Sequence, residues 1–183
     1  MNHINPIKSM VLVASIGLSL AACGNRKTTD ETQAREGHFM SELTEVTDSV
    51  TVTKIKAQQI LASYLQIKDA LVETDTTASQ EAAAKMVSFL TEEDDLSLKI
   101  KVDAKYIATT NDIAAQRSTF SNLSDNVYTL VKKHLADENT IYRQYCPMAQ
   151  NNQGAYWLSS EKEILNPYFG GQMLRCGSVK EEI

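Results

Sequence analysis

Apolar residues in the middle of the chain recur at helical spacing. Ile60, Tyr64, Ile67 and Leu71 form one stripe, widened by Leu61, Leu65 and Val72. Ala82, Met86, Phe89 and Leu90 form a second, in an alanine-rich stretch that follows Thr74-Asp75-Thr76. Leu96, Ile100, Ala104 and Ile107 make a third. Ile113, Phe120, Leu123, Val127, Leu130 and Leu135 make a fourth, after Thr110-Asn111. The Thr, Asp and Asn clusters between the stripes suit helix caps and turns, because their short polar side chains satisfy the unpaired amides of a helix start. Neither Pro nor Gly occurs from 54 to 137. Four amphipathic helices with short links predict a mainly α fold, an antiparallel four-helix bundle.

After Asp137 the pattern changes. Thr140 to Tyr145 alternates β-branched, aromatic and polar residues, as an extended segment does. Pro147, Pro167, Gly154, Gly170, Gly171 and Gly177 all lie in this last third. Ser160 and Glu163 have capping-box spacing and predict a short helix from Ser160 to Leu165, stopped by Asn166-Pro167. The expectation is a small irregular cap on the helices, built of a short strand or extended segments and short helices.

The amino terminus carries a different signal. Lys8 precedes an almost uninterrupted run of apolar and small residues from Met10 to Ala22. That run is shorter than the about 20 residues a membrane-spanning helix needs, but it fits the apolar part of a signal peptide. It ends in Leu20-Ala21-Ala22-Cys23, which resembles the lipobox of bacterial lipoproteins. The small side chains at Ala21 and Ala22 admit a peptidase, and the Cys23 thiol can carry lipid. The resemblance implies a signal peptide at 1–22, a lipidated polar tether at 23–53 starting from Cys23, and a helical domain at 54–183. Two or more acyl chains anchor firmly where one is marginal. Gly24 after Cys23, where Asp would be a retention signal, resembles sorting to the outer membrane of a Gram-negative envelope, facing the periplasm. Within the tether, Phe39, Leu43, Val46 and Val50 have helical spacing, so part of it is expected to dock on the domain as a short helix.

Composition narrows the function classes. Of 183 residues, removal of the first 22 leaves 161, and the formal charge of −5 becomes −6 with the loss of Lys8. An acidic domain without a basic run is a poor nucleic-acid binder. No nucleophile elbow, metalloprotease helix or phosphate-cradling glycine loop occurs. Only His38 and His134 follow the signal segment, so a cysteine catalyst would lack an obvious base, and Cys-x-x-Cys is absent. The expectation is a protein that is not an enzyme.

Sulfur is the chemistry that stands out. Apart from Cys23, the only cysteines are Cys146 and Cys176, each with a methionine close by in Cys146-Pro147-Met148 and Met173-Leu174-Arg175-Cys176. Residues i and i+2 of an extended segment share a side, and residues i and i+3 of a helical turn are neighbours. If the chain folds back between the two stretches, two thiolates and two thioethers converge, a soft ligand set that favours Cu(I) and suits zinc less well. The spacing is equally compatible with a Cys146–Cys176 disulfide, closing a loop of about 30 residues and stabilising by roughly 3–4 kcal/mol, or with free thiols. In the disulfide case Met148 and Met173 are ordinary packing residues.

The same region resembles a known family. The matching segments are Tyr145-Cys146-Pro147-Met148-Ala149, Gly154-Ala155-Tyr156-Trp157-Leu158-Ser159, Glu163-Ile164-Leu165-Asn166-Pro167-Tyr168-Phe169-Gly170 and Met173-Leu174-Arg175-Cys176-Gly177. In the helices, Lys68-Asp69-Ala70-Leu71-Val72, Ile107-Ala108 and Asp112-Ile113-Ala114-Ala115-Gln116-Arg117 match as well. Together they resemble a domain of unknown function found alone in Bacteroidetes lipoproteins and appended to periplasmic adaptor subunits of copper/silver efflux systems. The likeness spans about residues 54–179. It implies heavy-metal binding through Cys146, Met148, Met173 and Cys176, with Cu(I) or a similar soft ion as cargo. The chain lacks room for the adaptors' hairpin, lipoyl-like and barrel domains. It is therefore expected to hold or deliver metal, with an efflux adaptor or another periplasmic carrier as partner.

His134 is expected to pack or complement a helix dipole. Tyr156 and Trp157 are placed either beside the sulfurs or, as the favoured reading for Trp157, as an anchor of the irregular region to the helices. Arg117 is expected to pair with a carboxylate between helices or to face solvent. Glu92-Glu93-Asp94-Asp95 reads as a solvated turn and helix start, without the glycine-centred loop of a calcium site. The alternative to a metal carrier is a non-catalytic structural or interaction lipoprotein stapled by a Cys146–Cys176 disulfide.

Overall fold

The computed structural model describes residues 53–91, 94–136, 138 and 140–183. The signal segment 1–22, Cys23, the tether to Val52 with His38 and the Phe39 stripe, and Glu92 and Glu93 lie outside the described residues. No helix among the described residues is long and apolar enough to cross a membrane.

Helix α1 covers residues 53–73 and buries Ala57, Ile60, Leu61, Tyr64, Ile67 and Leu71 along one face. Thr74, at φ 62°, breaks it, and the Asp75 amide closes the end by donating to Ala70 O at 2.8 Å. Asp75 then caps α2 (Thr76–Phe89), its carboxylate accepting the Ala78 N–H at 2.9 Å. Asp94 caps α3 (Asp95–Thr109) through the amides of Leu96 and Ser97. Asp112 caps α4 (Ile113–His134) through the amide of Ala114 at 2.8 Å. Each cap supplies an acceptor to amides that have no partner within the helix, worth typically about 1 kcal/mol. The short polar clusters between the apolar stripes thus end one helix and start the next. At the far end of α4, Lys132 and Lys133 set positive charge against the carbonyl end of the helix dipole.

Helices α2 and α3 pack together, as do α3 and α4. Tyr64 joins α1 to α4. Its ring stacks on Phe120 with centroids 5.0 Å apart, and its hydroxyl lies 2.8 Å from Ser124 Oγ. The same hydroxyl accepts the Leu158 N–H at 2.9 Å, so one buried side chain ties both helices to the last third of the chain. Full burial pushes the Tyr64 phenol well above its ordinary range, which keeps it neutral.

That last third contains a three-stranded antiparallel sheet in the order β2-β1-β3, with β1 Tyr142–Cys146, β2 Ala155–Ser159 and β3 Ser178–Glu182. The expected extended segment is the central strand β1. The sheet around it was not legible, because β3 reads Ser-Val-Lys-Glu-Glu and has too little apolar character to announce a strand. Strand β2 packs against α4, and Trp157 from its inner face is fully buried. The fold is therefore mostly helical with a small antiparallel sheet at the carboxy terminus.

The helix expected at Ser160 to Leu165 does not form. Residues 160–163 make a bend, and the carbonyls of Glu161, Lys162 and Glu163 all turn toward Gln144 Nε2 at 2.9, 3.3 and 3.1 Å. A buried amide on β1 takes the acceptors that the first helical turn would have used internally.

Candidate functional site

The pairing of β3 with β1 explains why the two cysteines meet. Tyr145 of β1 is registered with Ser178 of β3. In an antiparallel pair, the residue leaving β1 and the residues entering β3 are then neighbours. Cys146 is the last residue of β1, and Cys176 ends a tight turn whose amide donates to Met173 O at 3.0 Å. Both thiols are free; Cys146 is buried and Cys176 partly so. The Cys176 thiol lies close enough to the Cys146 thiol and to the Met148 backbone amide for both to shift its titration. The Cys146 thiol is the largest influence and, together with burial, pushes the Cys176 thiol up, against the weaker opposite pull of the Met148 amide. A bound cation would reverse this balance, since coordination stabilises both thiolates at once.

Gly177 makes the approach possible. Its φ is +148°, and a Cβ there would lie 2.8 Å from Trp157 Cη2 and 3.0 Å from Tyr145 O. Only a residue without a side chain lets the strand entering β3 lie flat on the indole. Trp157 also packs edge-on against Tyr168, with centroids 6.0 Å apart at 77°. It thus serves as an anchor between sheet and helices, and its edge lies beside the backbone that carries Cys176. Tyr156, its neighbour, is occupied elsewhere, because the Arg143 guanidinium is sandwiched between the Tyr156 and Tyr128 rings at 3.9 and 4.0 Å.

The methionines are placed differently from the cysteines. Strand β1 ends at Cys146, Pro147 and Met148 form a turn, and Met148 has the αR backbone (φ −91°, ψ −11°). Cys146 points into the core while Met148 is 47% exposed, so the two do not share a side as an extended Cys-Pro-Met would have arranged. Met148 and Met173 instead line one cavity of about 510 Å³, whose far wall is the first two turns of α4 at Ala114, Arg117 and Ser118. Neither cysteine lines it. The structure thus brings the two thiols together, sets both thioethers around an adjacent cavity, and links the pairs through the Met148 amide on the Cys176 sulfur. Among the described residues, no group of three or more His, Cys, Asp or Glu side chains could hold a metal ion. A soft-ion site here would therefore rest on the two thiols completed by thioethers.

Two features of this cavity were not visible in the pattern of residues. Gln150 (φ 50°, ψ 53°), Asn151 (φ 57°, ψ 44°) and Asn152 (φ 65°) are three successive non-glycine residues in the left-handed region. Such a conformation costs about 1–2 kcal/mol per residue, less for asparagine, and such strain concentrates at functional sites. The turn is held by Asn152 N–H to Met148 O at 3.3 Å, Gly154 N–H to Ala149 O at 2.9 Å, and Gln150 Nε2 to Arg117 O at 3.2 Å. The one available signal was Gln150-Asn151-Asn152, a run tolerant of positive φ only at its asparagines.

Arg117 is the second feature. Among the described residues it pairs with no carboxylate, and its guanidinium turns to the protein instead of solvent. Its Nε donates to Pro167 O at 2.9 Å, and its Nη2 to Leu71 O at 2.9 Å and Thr74 Oγ1 at 3.0 Å. Gly170, at φ +56°, lies against the same guanidinium, where a Cβ would meet Nη2 at 2.7 Å. Two of the acceptors are backbone carbonyls, those of Leu71 near the end of α1 and of Pro167, and the third is the Thr74 hydroxyl; no side-chain pattern marks the carbonyls in advance.

His134 closes α4, some 17 residues or about 25 Å along the helix from the Arg117 turn. Burial, with Lys133 beside it, lowers its pKa. Asp94 is the α3 cap, and the hydroxyl of Ser97 holds its carboxyl below the usual range.

These features define a helical domain with a paired-thiol corner at its carboxy-terminal sheet. Residues 60–139 match the family model described as "Protein of unknown function (DUF3347)". The match starts inside α1, runs through α4 and stops before β1, so the sulfur stretches lie beyond it. That description names an uncharacterised domain and carries no metal or lipoprotein assignment. No curated protein and no solved structure matches the chain.

Proposed function

We propose that the chain is a lipid-anchored protein of the bacterial envelope that holds a soft heavy-metal ion, Cu(I) in the first place, through sulfur. The observation that carries this reading is the pair of free thiols at Cys146 and Cys176, brought together from stretches 30 residues apart by the pairing of β1 with β3, beside a cavity lined by both Met148 and Met173. Two thiolates give Cu(I) its preferred soft ligands, and a thioether supplies a third donor that exchanges readily. Partly exposed methionines next to a thiol pair of which Cys146 is buried suit handover: an incoming carrier meets the thioethers first, and the thiolates retain the ion. The role is buffering or delivery, with an efflux adaptor or another periplasmic metal carrier as partner and Cys23 as the lipid attachment point. In the same reading the protein is not an enzyme, and its four helices form an antiparallel bundle that serves as the platform for the sulfur corner.

The second reading is a structural or interaction lipoprotein in which Cys146 and Cys176 are oxidised to a disulfide. The contact between the two thiols favours it as directly as it favours a metal. One experiment separates them. The reduced full-length chain, with Cys23→Ser to remove the third thiol, is titrated with Cu(I) against a competing chelator. One ion per chain is expected, lost in Cys146→Ser and Cys176→Ser, and held roughly tenfold more weakly (about 1.4 kcal/mol) in Met148→Ala or Met173→Ala. A reduced parent that takes up no Cu(I) leaves the disulfide reading. Unchanged affinity in both methionine variants removes the thioethers from the site.

A further inference from the structure

We propose that the cavity beside the two methionines is a binding site for a small organic monocarboxylate with an apolar body, held through Arg117. The cavity measures about 510 Å³, within the range of small-molecule sites. Among the described residues, Arg117 is the only charged one that lines it. Its Nε and Nη2 are fixed by Pro167 O, Leu71 O and Thr74 Oγ1, while Nη1 has no acceptor among the described residues and no carboxylate forms an ion pair with the guanidinium. The carbonyls hold the group rigid without neutralising it. A half-buried cation without an anion is unfavourable, and burial alone pulls its pKa down with nothing opposing.

The surroundings define the missing anion. One fixed planar cation suits one carboxylate better than a multiply charged group. The left-handed turn places Asn151 and Asn152 at the cavity, and neither side chain has a hydrogen-bond partner among the described residues, so both amides can serve as donors. The remaining wall is the thioethers of Met148 and Met173 with the rings of Phe169 and Tyr168, a surface for an apolar or aromatic body. Pre-organised donors at one end and soft apolar contacts at the other make a site for an amphipathic acid. The site needs no metal.

The test uses the full-length chain, labelled at the methionine methyl groups, in metal-free buffer with chelator and at constant chloride. Phenylacetate is the probe, and phenylacetamide is its uncharged counterpart of the same shape. The Met148 and Met173 methyl signals are expected to move saturably with phenylacetate and at least roughly tenfold more weakly with the amide. Arg117→Gln is expected to erase that difference. Because Arg117→Gln also removes three bonds that support the fold, Ser118→Glu is the second variant. It places a competing carboxylate at the cavity wall and leaves the guanidinium's bonds alone, and it is expected to weaken phenylacetate binding by a similar factor. Methyl signals that do not respond, equal responses to acid and amide, or a Ser118→Glu chain that binds like the parent would each overturn the proposal. Because no metal enters the titration, its failure leaves the Cu(I) reading untouched, and failure of the Cu(I) titration leaves this site untouched.

Discussion

The thiol of Cys176 is brought beside that of Cys146, although 30 residues separate them in the chain. The two meet because β3 pairs antiparallel with β1, and the neighbour makes Cys176 hold its proton more tightly.

That coupling has a pH signature. The Cys176 thiol is held above its ordinary value, so it binds its proton more tightly folded than unfolded. Its contribution to stability is complete below the unfolded thiol's pKa of about 8.5 and is lost as pH rises through the folded value. In a Cys23→Ser chain, alkylation of Cys176 by iodoacetamide at pH 8 should be slower than that of a free thiol. Cys146→Ser, which removes the largest cause of the shift, should accelerate it. A midpoint at or below that of a free cysteine would contradict the geometry of the pair.

Tyr64→Phe retains the stacked ring and removes the hydroxyl. The Leu158 N–H then loses its acceptor inside the protein, and Ser124 keeps only its bond to Phe120 O at 2.7 Å. The expected cost is about 1–3 kcal/mol, the penalty for one buried polar group left unpaired. Urea unfolding with an unchanged slope would measure it, and a loss within error of zero would mean that the helices and β2 are joined by other contacts.

Asn151→Gly should stabilise the chain. The residue sits at φ 57°, its side chain is exposed and it makes no side-chain hydrogen bond. Glycine adopts that conformation without steric cost, and the relief should exceed its larger backbone entropy by a few tenths to about 1 kcal/mol. Asn151→Val should destabilise by more than this, since a β-branched residue tolerates positive φ worst. Thermal melting of the two variants, which should move in opposite directions, tests the strained turn.

Asp94 gives α3 its start and an acid dependence. Its carboxyl is held below the usual range chiefly by the Ser97 hydroxyl and amide. A lowered folded value stabilises above the unfolded pKa of about 3.9 and is lost as pH falls through the folded one. Asp94→Ala should cost about 1 kcal/mol at neutral pH, as loss of a cap does. Below about pH 3 the gap to the parent should narrow. A gap that stays constant with pH would assign the loss to helix propensity instead of the ionised cap.

How much of this was legible follows from where the information lies. Ile60, Tyr64, Ile67 and Leu71 mark a buried helical face because residues three and four apart share a side of any α-helix, whatever surrounds it. Asp75, Asp94 and Asp112 mark helix starts because an N-cap acts on amides within three residues. By contrast, Ser160 and Glu163 carried a local signal for a helix that the amide of Gln144 overrode from another strand. Met148 was placed by Pro147 and a turn where alternation had predicted a strand, and the carbonyls around Arg117 leave no trace in side-chain identity.

Alone, the order of residues determined the four helices, their caps and the presence of two sulfur-bearing stretches, since each depends on contacts within about one helical turn. Tertiary structure decided that Ser-Val-Lys-Glu-Glu would be a strand against Tyr142–Cys146, that the thiols would therefore touch, and that Arg117 would stand without an anion beside the methionines. These outcomes depend on hydrogen-bonding groups common to every residue, so only the assembled fold selects among them.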